Sequence, residues 1–337
     1  MRAERSRATA HAGYPGGSGA HQSTHGPRRG EQNRQKADLA AGAYTTPPMM
    51  RTLSLLMLFA CLWSVADAAI TVVDDTGAHI VLPAPATRIV SLTPGATEML
   101  FAAGAGAKIV ATVEYSDEPP AAKSIARIGD ATAIDIERLI ALHPDVVVIW
   151  PGGSNAAQIE KVSRLGIPLY RQEVDVLEDL PKSVRRLGAL AGTLSVADRN
   201  AQALELRLTN LTREYVGSRP LTVLIQAWNR PIYTVGGTQL MSDALRICGA
   251  RNVFGDLKTP GPAVDVEAVI ARNPDVILAA APAGEANAWL ADWRRFPDLK
   301  AVKGRRLIPF EVNSFSRLGP SVVDATEQLC RVLAKVR

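Results

Sequence analysis

Residues 134–150 read IDIERLIALHPDVVVIW, residues 264–280 read VDVEAVIARNPDVILAA, and seven of the seventeen aligned positions are identical. Asp135/Asp265, Glu137/Glu267, Pro144/Pro274 and Asp145/Asp275 are among them. A unit written twice, 130 residues apart, means that the chain builds the same helix–turn–strand element in two places. Ile136, Leu139 and Ile140 have the three-to-four spacing of a helix face that begins near Asp135. Proline stops the helix and aspartate suits the turn. The run DVVVI at 145–149 is apolar and β-branched throughout, as in a strand covered on both faces. A second echo, TEMLFAAGA at 97–105 against SDALRICGA at 242–250, extends the duplication beyond that element.

The rest of the path agrees. Residues 70–82 alternate around Asp75-Thr76-Gly77 and predict a β-hairpin. RIVSL at 88–92 predicts a strand, Thr93-Pro94-Gly95 a loop, Ala96 to Ala103 a helix stopped by Gly104, and IVATV at 109–113 a strand. After DVVVI come helix, strand and helix through Leu190. Residues 194–217 then break the rhythm, with no Pro and no Gly before the last residue. Leu204, Leu208 and Leu211 form a helical stripe and Ser195 is a candidate cap. About 22 residues of helix would reach roughly 33 Å. TVLIQAW restarts the strand–helix alternation, which ends in a helix from Ser321 to Val336. The expected fold is α/β: two Rossmann-like lobes, residues 69–193 and 218–337, bridged by one long α-helix over 194–217.

The first 68 residues are not expected to join this fold. Residues 1–48 are rich in Gly, Ser, His, Arg and Pro without apolar periodicity, as in disordered sequence. Residues 49–68 have the form of a secretory signal peptide: Arg51, an apolar run from Leu53 to Val65, and Ala66-Asp67-Ala68 before a cut. The expected working start is therefore Met49 or Met50, with residues 1–48 an over-long reading of the gene. An uncleaved anchor, or a lipoprotein modified on Cys61 in LFAC, are the alternatives; Phe59 is bulky for the latter signal.

Cleavage leaves Cys248 and Cys330, and an even count in an exported chain argues for a disulfide. Closing a loop of about 80 residues would stabilise by roughly 4 kcal/mol in the chain-entropy account. Two buried free thiols are the alternative. Cleavage also removes most of the basicity. Residues 1–68 hold eight Lys/Arg and four Asp/Glu, leaving 30 and 29 in the remainder, which argues against nucleic-acid binding.

Glu137 and Glu267 fall near the N-termini of matching helices, where a carboxylate favours the helix dipole by about 0.3–1 kcal/mol. That role is the plain reading of both. Two lobes related by an approximate two-fold would also set both carboxylates on one outer edge, where a two-fold symmetric partner with basic pockets could grip them.

The runs RIVSLTPGATEMLFAAGAG, EYSDEPP, IDIERLIALHPDVVVIW and GGTQLMSDALRICGARNVF, and a final helix carrying Cys330, occur in this order. Together they resemble the family of periplasmic binding proteins for cobalamin and iron-siderophores, the helical-backbone or class III type. The resemblance covers essentially all of residues 70–337. It implies a bilobal receptor with a ligand cleft between the lobes and little closure on binding. The ligand is delivered to a homodimeric permease driven by an ATPase, and the receptor itself is a monomer. The family's two docking glutamates fall on Glu137 and Glu267, which would pair with permease arginines, and its disulfide falls on Cys248 and Cys330.

The motifs lie nearest the cobalamin-binding branch, which implies cobalamin or a related corrinoid as bound ligand and no cofactor. Tyr115 and Trp150 match cleft aromatics, and Pro94 and Gly95 belong to the first cleft loop. Asn313, Ser314, Phe315, Ser316 and Arg317 match a cleft segment that in the cobalamin binders opens on an aspartate and closes on an arginine. The arginine is retained and Asn313 replaces the acid. Two further cleft tryptophans are missing, at places near Asp130–Ala131 and at Gly261. Trp228 and Tyr233 offer partial compensation. For each aromatic the plain alternative is ordinary packing.

Other readings fare worse. A metal receptor needs several converging His or carboxylate ligands. Beyond the leader only His79 and His143 remain, and His143 occupies a turn where the other copy has Asn273. An exported hydrolase would need a nucleophile elbow, a phosphate loop or a dinucleotide fingerprint, and none is found. Haem or an iron chelate is the second reading within the family, since arginines could meet its carboxylates with bidentate hydrogen bonds.

Overall fold

The computed structural model describes residues 69–337 apart from 131, 153–154, 282–283 and 312–316. The expected leader, the residue 1–48 extension and the cleft residues Asn313, Ser314, Phe315 and Ser316 lie outside the described residues. The N-terminal half runs β1 (Ile70–Val73), β2 (His79–Leu82), β3 (Ile89–Ser91), α1 (Pro94–Ala102), β4 (Ile109–Ala111), α2 (Ile136–Ala141), β5 (Val146–Ile149), α3 (Ala156–Ser163), β6 (Leu169–Arg171) and α4 (Leu180–Ala191). After α5 (Leu194–Tyr215) come β7 (Leu221–Gln226), β8 (Ile232–Tyr233), α6 (Leu240–Ile247), β9 (Ala250–Asn252) and β10 (Ala263–Val264). The chain closes with α7 (Val266–Arg272), β11 (Val276–Ala281), α8 (Ala286–Trp293), α9 (Lys300–Lys303), β12 (Leu307–Glu311) and α10 (Ser321–Ala334).

The two central sheets are parallel, ordered β4-β3-β5-β6 and β9-β7-β11-β12. Counting only the strands of each sheet in chain order, both orders are second-first-third-fourth. The duplication read from the sequence is therefore one topology built twice, and the fold is the expected bilobal α/β one. Helices cover the sheets, so β5 and β11 are buried at every residue, which is why their sequences are continuously apolar.

The repeated residues explain themselves in pairs. Asp135 and Asp265 are N-caps whose carboxylates accept the N–H of Arg138 and Ala268. His143 and Asn273 end the helices at φ 44° and 45°, the left-handed region that Asn tolerates and His adopts less often. Asp145 and Asp275 do more than make a turn. Asp145 Oδ2 accepts from the N–H of Thr87 at 2.7 Å and of Arg88 at 2.8 Å, and Asp275 Oδ2 accepts from the N–H of Thr222 at 2.9 Å. Each aspartate so fixes the strand that ends its helix–turn unit beside the first strand of its own parallel sheet, β3 or β7.

The bridging helix α5 has 22 residues and buries Ala197, Ala201, Leu204, Leu208, Leu211 and Tyr215, one stripe at helical spacing. It packs on α4 where Gly188 meets the Ala197 methyl, with no room for a side chain. It also holds α10 through Arg207, which donates to Glu327 at 3.0 Å and to Asp324 at 2.5 Å. Ser195 is not its cap: the N-cap position is Thr193, whose hydroxyl donates instead to Ala103 O at 2.6 Å. Pro94 and Gly95 are not loop either. Helix α1 starts at Pro94, because a proline is at home in a first turn that Thr93 Oγ1 caps from Ala96 N–H. The disulfide forms between Cys248, just past α6, and Cys330 in α10, with Cα atoms 4.7 Å apart.

Candidate functional site

In open parallel sheets of this order, the loops that leave the carboxyl ends of the strands build the binding edge. The described residues among those expected to contact the ligand follow such strand ends. Pro94 and Gly95 follow β3, Tyr115 follows β4, Trp150 follows β5, Trp228 follows β7, and Arg317 follows β12 by way of 312–316.

Tyr115 is 75% exposed at φ 64°, a backbone region that an aromatic residue enters only when its surroundings force it. The forcing groups are visible. A chain of fully buried hydroxyls runs from Ser91 on β3 to Thr97 on α1 (2.9 Å), on to Thr112 (2.7 Å) and to Ser116 (2.9 Å). Arg127 then holds the loop from outside, donating to Ser116 O at 2.9 Å and to Asp117 Oδ1 at 3.0 Å. The expected site did not include these supports. Their residue types are common, and only the fold brings them into line.

Across the molecule Trp228 is 53% exposed and Tyr233 40%. Trp228 stands edge-on to the buried Trp289, with ring centroids 5.9 Å apart, a favourable aromatic geometry. Backbone bonds between Trp228 and Tyr233 keep both rings on one short ribbon. Trp150 is half-buried and has Gly152 against its indole.

Gly95 is buried, and a Cβ there would lie 2.8 Å from the Leu318 backbone, so the glycine serves close approach of the C-terminal half. The same seam holds the expected arginine. Arg317 Nη1 lies 3.5 Å from Oε1 of Glu98, a residue of α1 that is 6% exposed. Glu98 Oε2 accepts the Ser321 N–H at 3.2 Å, and Gln172 donates to Leu318 O at 2.6 Å. Burial pushes the Glu98 carboxyl above its usual range, against the pull of Ser321 and Arg317. Its counterpart in the second sequence echo, Asp243, is also raised by burial. Asp243 reaches the other way across the seam, accepting the Leu177 N–H at 2.8 Å.

Glu137 and Glu267 are exposed second residues of α2 and α7. Neither side chain hydrogen-bonds or ion-pairs with another described residue. Each helix leads into the start of its strand, so its N-terminus lies at the carboxyl edge, the edge that carries the aromatics. A cavity of about 580 Å³ opens beside Glu267, lined also by Ile232, Trp293 and Phe296. Among the described residues no group of three or more His, Cys, Asp or Glu could hold a metal ion, and no helix is long and apolar enough to cross a membrane.

Comparison with known proteins agrees with the geometry. The vitamin B12-binding protein of Vibrio cholerae serotype O1 is 32% identical over 266 residues, 79% of this chain and 95% of that one. The vitamin B12-binding protein of Photorhabdus laumondii is 31% identical over 255 residues, 76% and 90% of the two chains. The crystal structure of the periplasmic vitamin B12-binding protein of Vibrio cholerae superposes with a TM-score of 0.69 at 32% identity, covering 75% of this chain and 98% of that chain. The periplasmic heme-binding protein of Vibrio cholerae shares the fold, with a TM-score of 0.63 at 18% identity over 73% of this chain and 98% of that chain. Residues 89–310 match the model of the family described as periplasmic binding protein, and the chain belongs to that family.

Proposed function

We propose that this chain is the ligand receptor of an ABC importer, and that its ligand is cobalamin or a related corrinoid held between the two lobes. The observation that carries the reading is a pair of exposed aromatics, Tyr115 and Trp228, on the carboxyl edges of opposite sheets. A broad, flat macrocycle needs apolar area with a few polar anchors. The relatives named for vitamin B12 binding, 32% identical to this chain, support the same ligand. Trp150, Pro94, Tyr233 and Arg317 line the site in this reading, with Asn313, Ser314, Phe315 and Ser316 beside them and Gly95 behind the wall.

The receptor holds its ligand without breaking a bond in it and uses no cofactor. It works in the periplasm as a monomer, after loss of the leader at 49–68. Glu137 and Glu267, exposed and unpaired among the described residues, dock it on the homodimeric permease, where arginines would form charge-assisted hydrogen bonds. Stoichiometric retention of chemically unchanged cyanocobalamin through gel filtration tests the reading. A protein that retains none, or returns an altered corrinoid, contradicts it. Haem or an iron chelate is the second reading, in which Arg317 would have to take a ligand carboxylate in place of Glu98.

A further inference from the structure

Arg317 does not stand alone, and what it already pairs with bears on which ligands it can serve. Glu98 comes from α1 in the N-terminal lobe and Arg317 from the C-terminal lobe, so the pair spans the seam. The carboxylate is enclosed. A Cβ on Gly319 would lie 2.6 Å from Glu98 Oε2, and that oxygen accepts the Ser321 N–H. Oε1 is buried without any hydrogen-bond partner among the described residues, and its ion-pair partner is the guanidinium, at 3.5 Å. A buried anion with one cationic neighbour neutralises that neighbour while leaving its remaining N–H groups free to donate.

We propose that Glu98 is a specificity-determining residue, which neutralises Arg317 from the opposite lobe and thereby selects ligands with neutral carbonyl acceptors over ligands with carboxylates. The inference rests on the corrinoid reading of the site. The periphery of cobalamin carries amides, whose oxygens accept from a guanidinium without adding charge. A carboxylate brought to Arg317 would share one cation with the enclosed Glu98, and like charges side by side are strongly disfavoured at a desolvated contact. Glu98 acts through Arg317 and is not itself placed against the ligand.

The internal duplication supplies a control. Asp243 occupies the matching position on α6, is also buried, and also accepts an N–H from the opposite lobe. Its arginine is Arg246, from its own helix, at 2.7 Å, and Arg246 pairs with Glu178 rather than standing at a strand's carboxyl end. A merely structural seam acid should behave alike in both places.

The test compares cyanocobalamin with its monocarboxylates, in which one propionamide is hydrolysed to a propionate, by calorimetry on the wild-type, Glu98→Gln and Asp243→Asn proteins. The wild type is expected to prefer the amide form over at least one monocarboxylate by about tenfold. Glu98→Gln, which keeps an acceptor for Ser321, should remove or invert that preference, while Asp243→Asn leaves it intact. In an Arg317→Gln background, Glu98→Gln should change the ratio no further. An unaltered ratio in Glu98→Gln, or an equal change in Asp243→Asn, overturns the specificity role while the corrinoid reading stands. A wild-type protein that binds no corrinoid overturns the corrinoid reading and the inference with it. Thermal melts of each variant separate loss of fold from loss of selectivity.

Discussion

At the scale of single residues, two kinds of carboxylate have opposite effects on stability. Burial opposes ionisation of Asp145, but the N–H groups of Thr87 and Arg88 and the Thr87 hydroxyl outweigh it and hold the group below its usual range. A depressed acid contributes stability that is present above its unfolded value and lost as pH falls through its folded value. Asp145→Asn is therefore expected to destabilise by about 1–2 kcal/mol at neutral pH, discounted for partial exposure, and by progressively less on acidification. Urea melts at several pH values measure it, and a deficit independent of pH would contradict it. Glu98 and Asp243 have raised values, so each weakens folding as pH climbs through the window above the ordinary carboxylate range. For binding, Tyr115→Ala should weaken cobalamin affinity by about 1 kcal/mol, the scale of one aromatic contact. Unchanged affinity by calorimetry would remove Tyr115 from the site. The ring itself was legible in EYSDEPP. The Ser91–Thr97–Thr112–Ser116 hydroxyl chain beneath it was not, because four small polar residues carry no pattern until strands and helix bring them together.

Among elements, the legible parts are those fixed by neighbours in sequence. The helix start near Asp135, Pro144 and Pro274 as stops, and the apolar stripe of α5 depend on local spacing, and they fold as read. The misread start of α5 has another cause. Ser195 had the right chemistry for a cap, but Thr193 already ends the preceding turn, and its hydroxyl is drawn to Ala103 ninety residues earlier in the chain. Long-range pairings such as Asp145 with Thr87, or Glu98 with Arg317, leave no periodic trace at all. The disulfide is an exception, since two cysteines beyond residue 68 admit a single pairing, the alternative being two free thiols. It ties the end of α6 to α10, with 82 residues between its cysteines. Replacing both Cys248 and Cys330 by Ser should lower stability by about 2–5 kcal/mol. Denaturant melts with and without reductant test this; a wild-type protein indifferent to reductant would contradict it.

For the whole molecule, the duplication decides the argument. Two sheets of the same order, joined by one long helix and tied across a seam, present matching carboxyl edges, and each edge carries an aromatic and an exposed glutamate. The arrangement suits a receptor that moves little and is recognised from outside. Reversing both charges proposed to dock the permease, Glu137→Arg with Glu267→Arg, should abolish uptake of cobalamin by cells while leaving affinity in solution unchanged. Impaired binding in that double variant would show that these carboxylates belong to the ligand site instead. The central claim, a corrinoid held between the lobes, is tested most directly by calorimetric titration of the exported protein with cyanocobalamin, haemin and a ferric siderophore in parallel. The account predicts saturable one-to-one binding of cyanocobalamin, with the other two bound much more weakly. Tighter binding of haemin or of the siderophore, or no heat from cyanocobalamin, would contradict it.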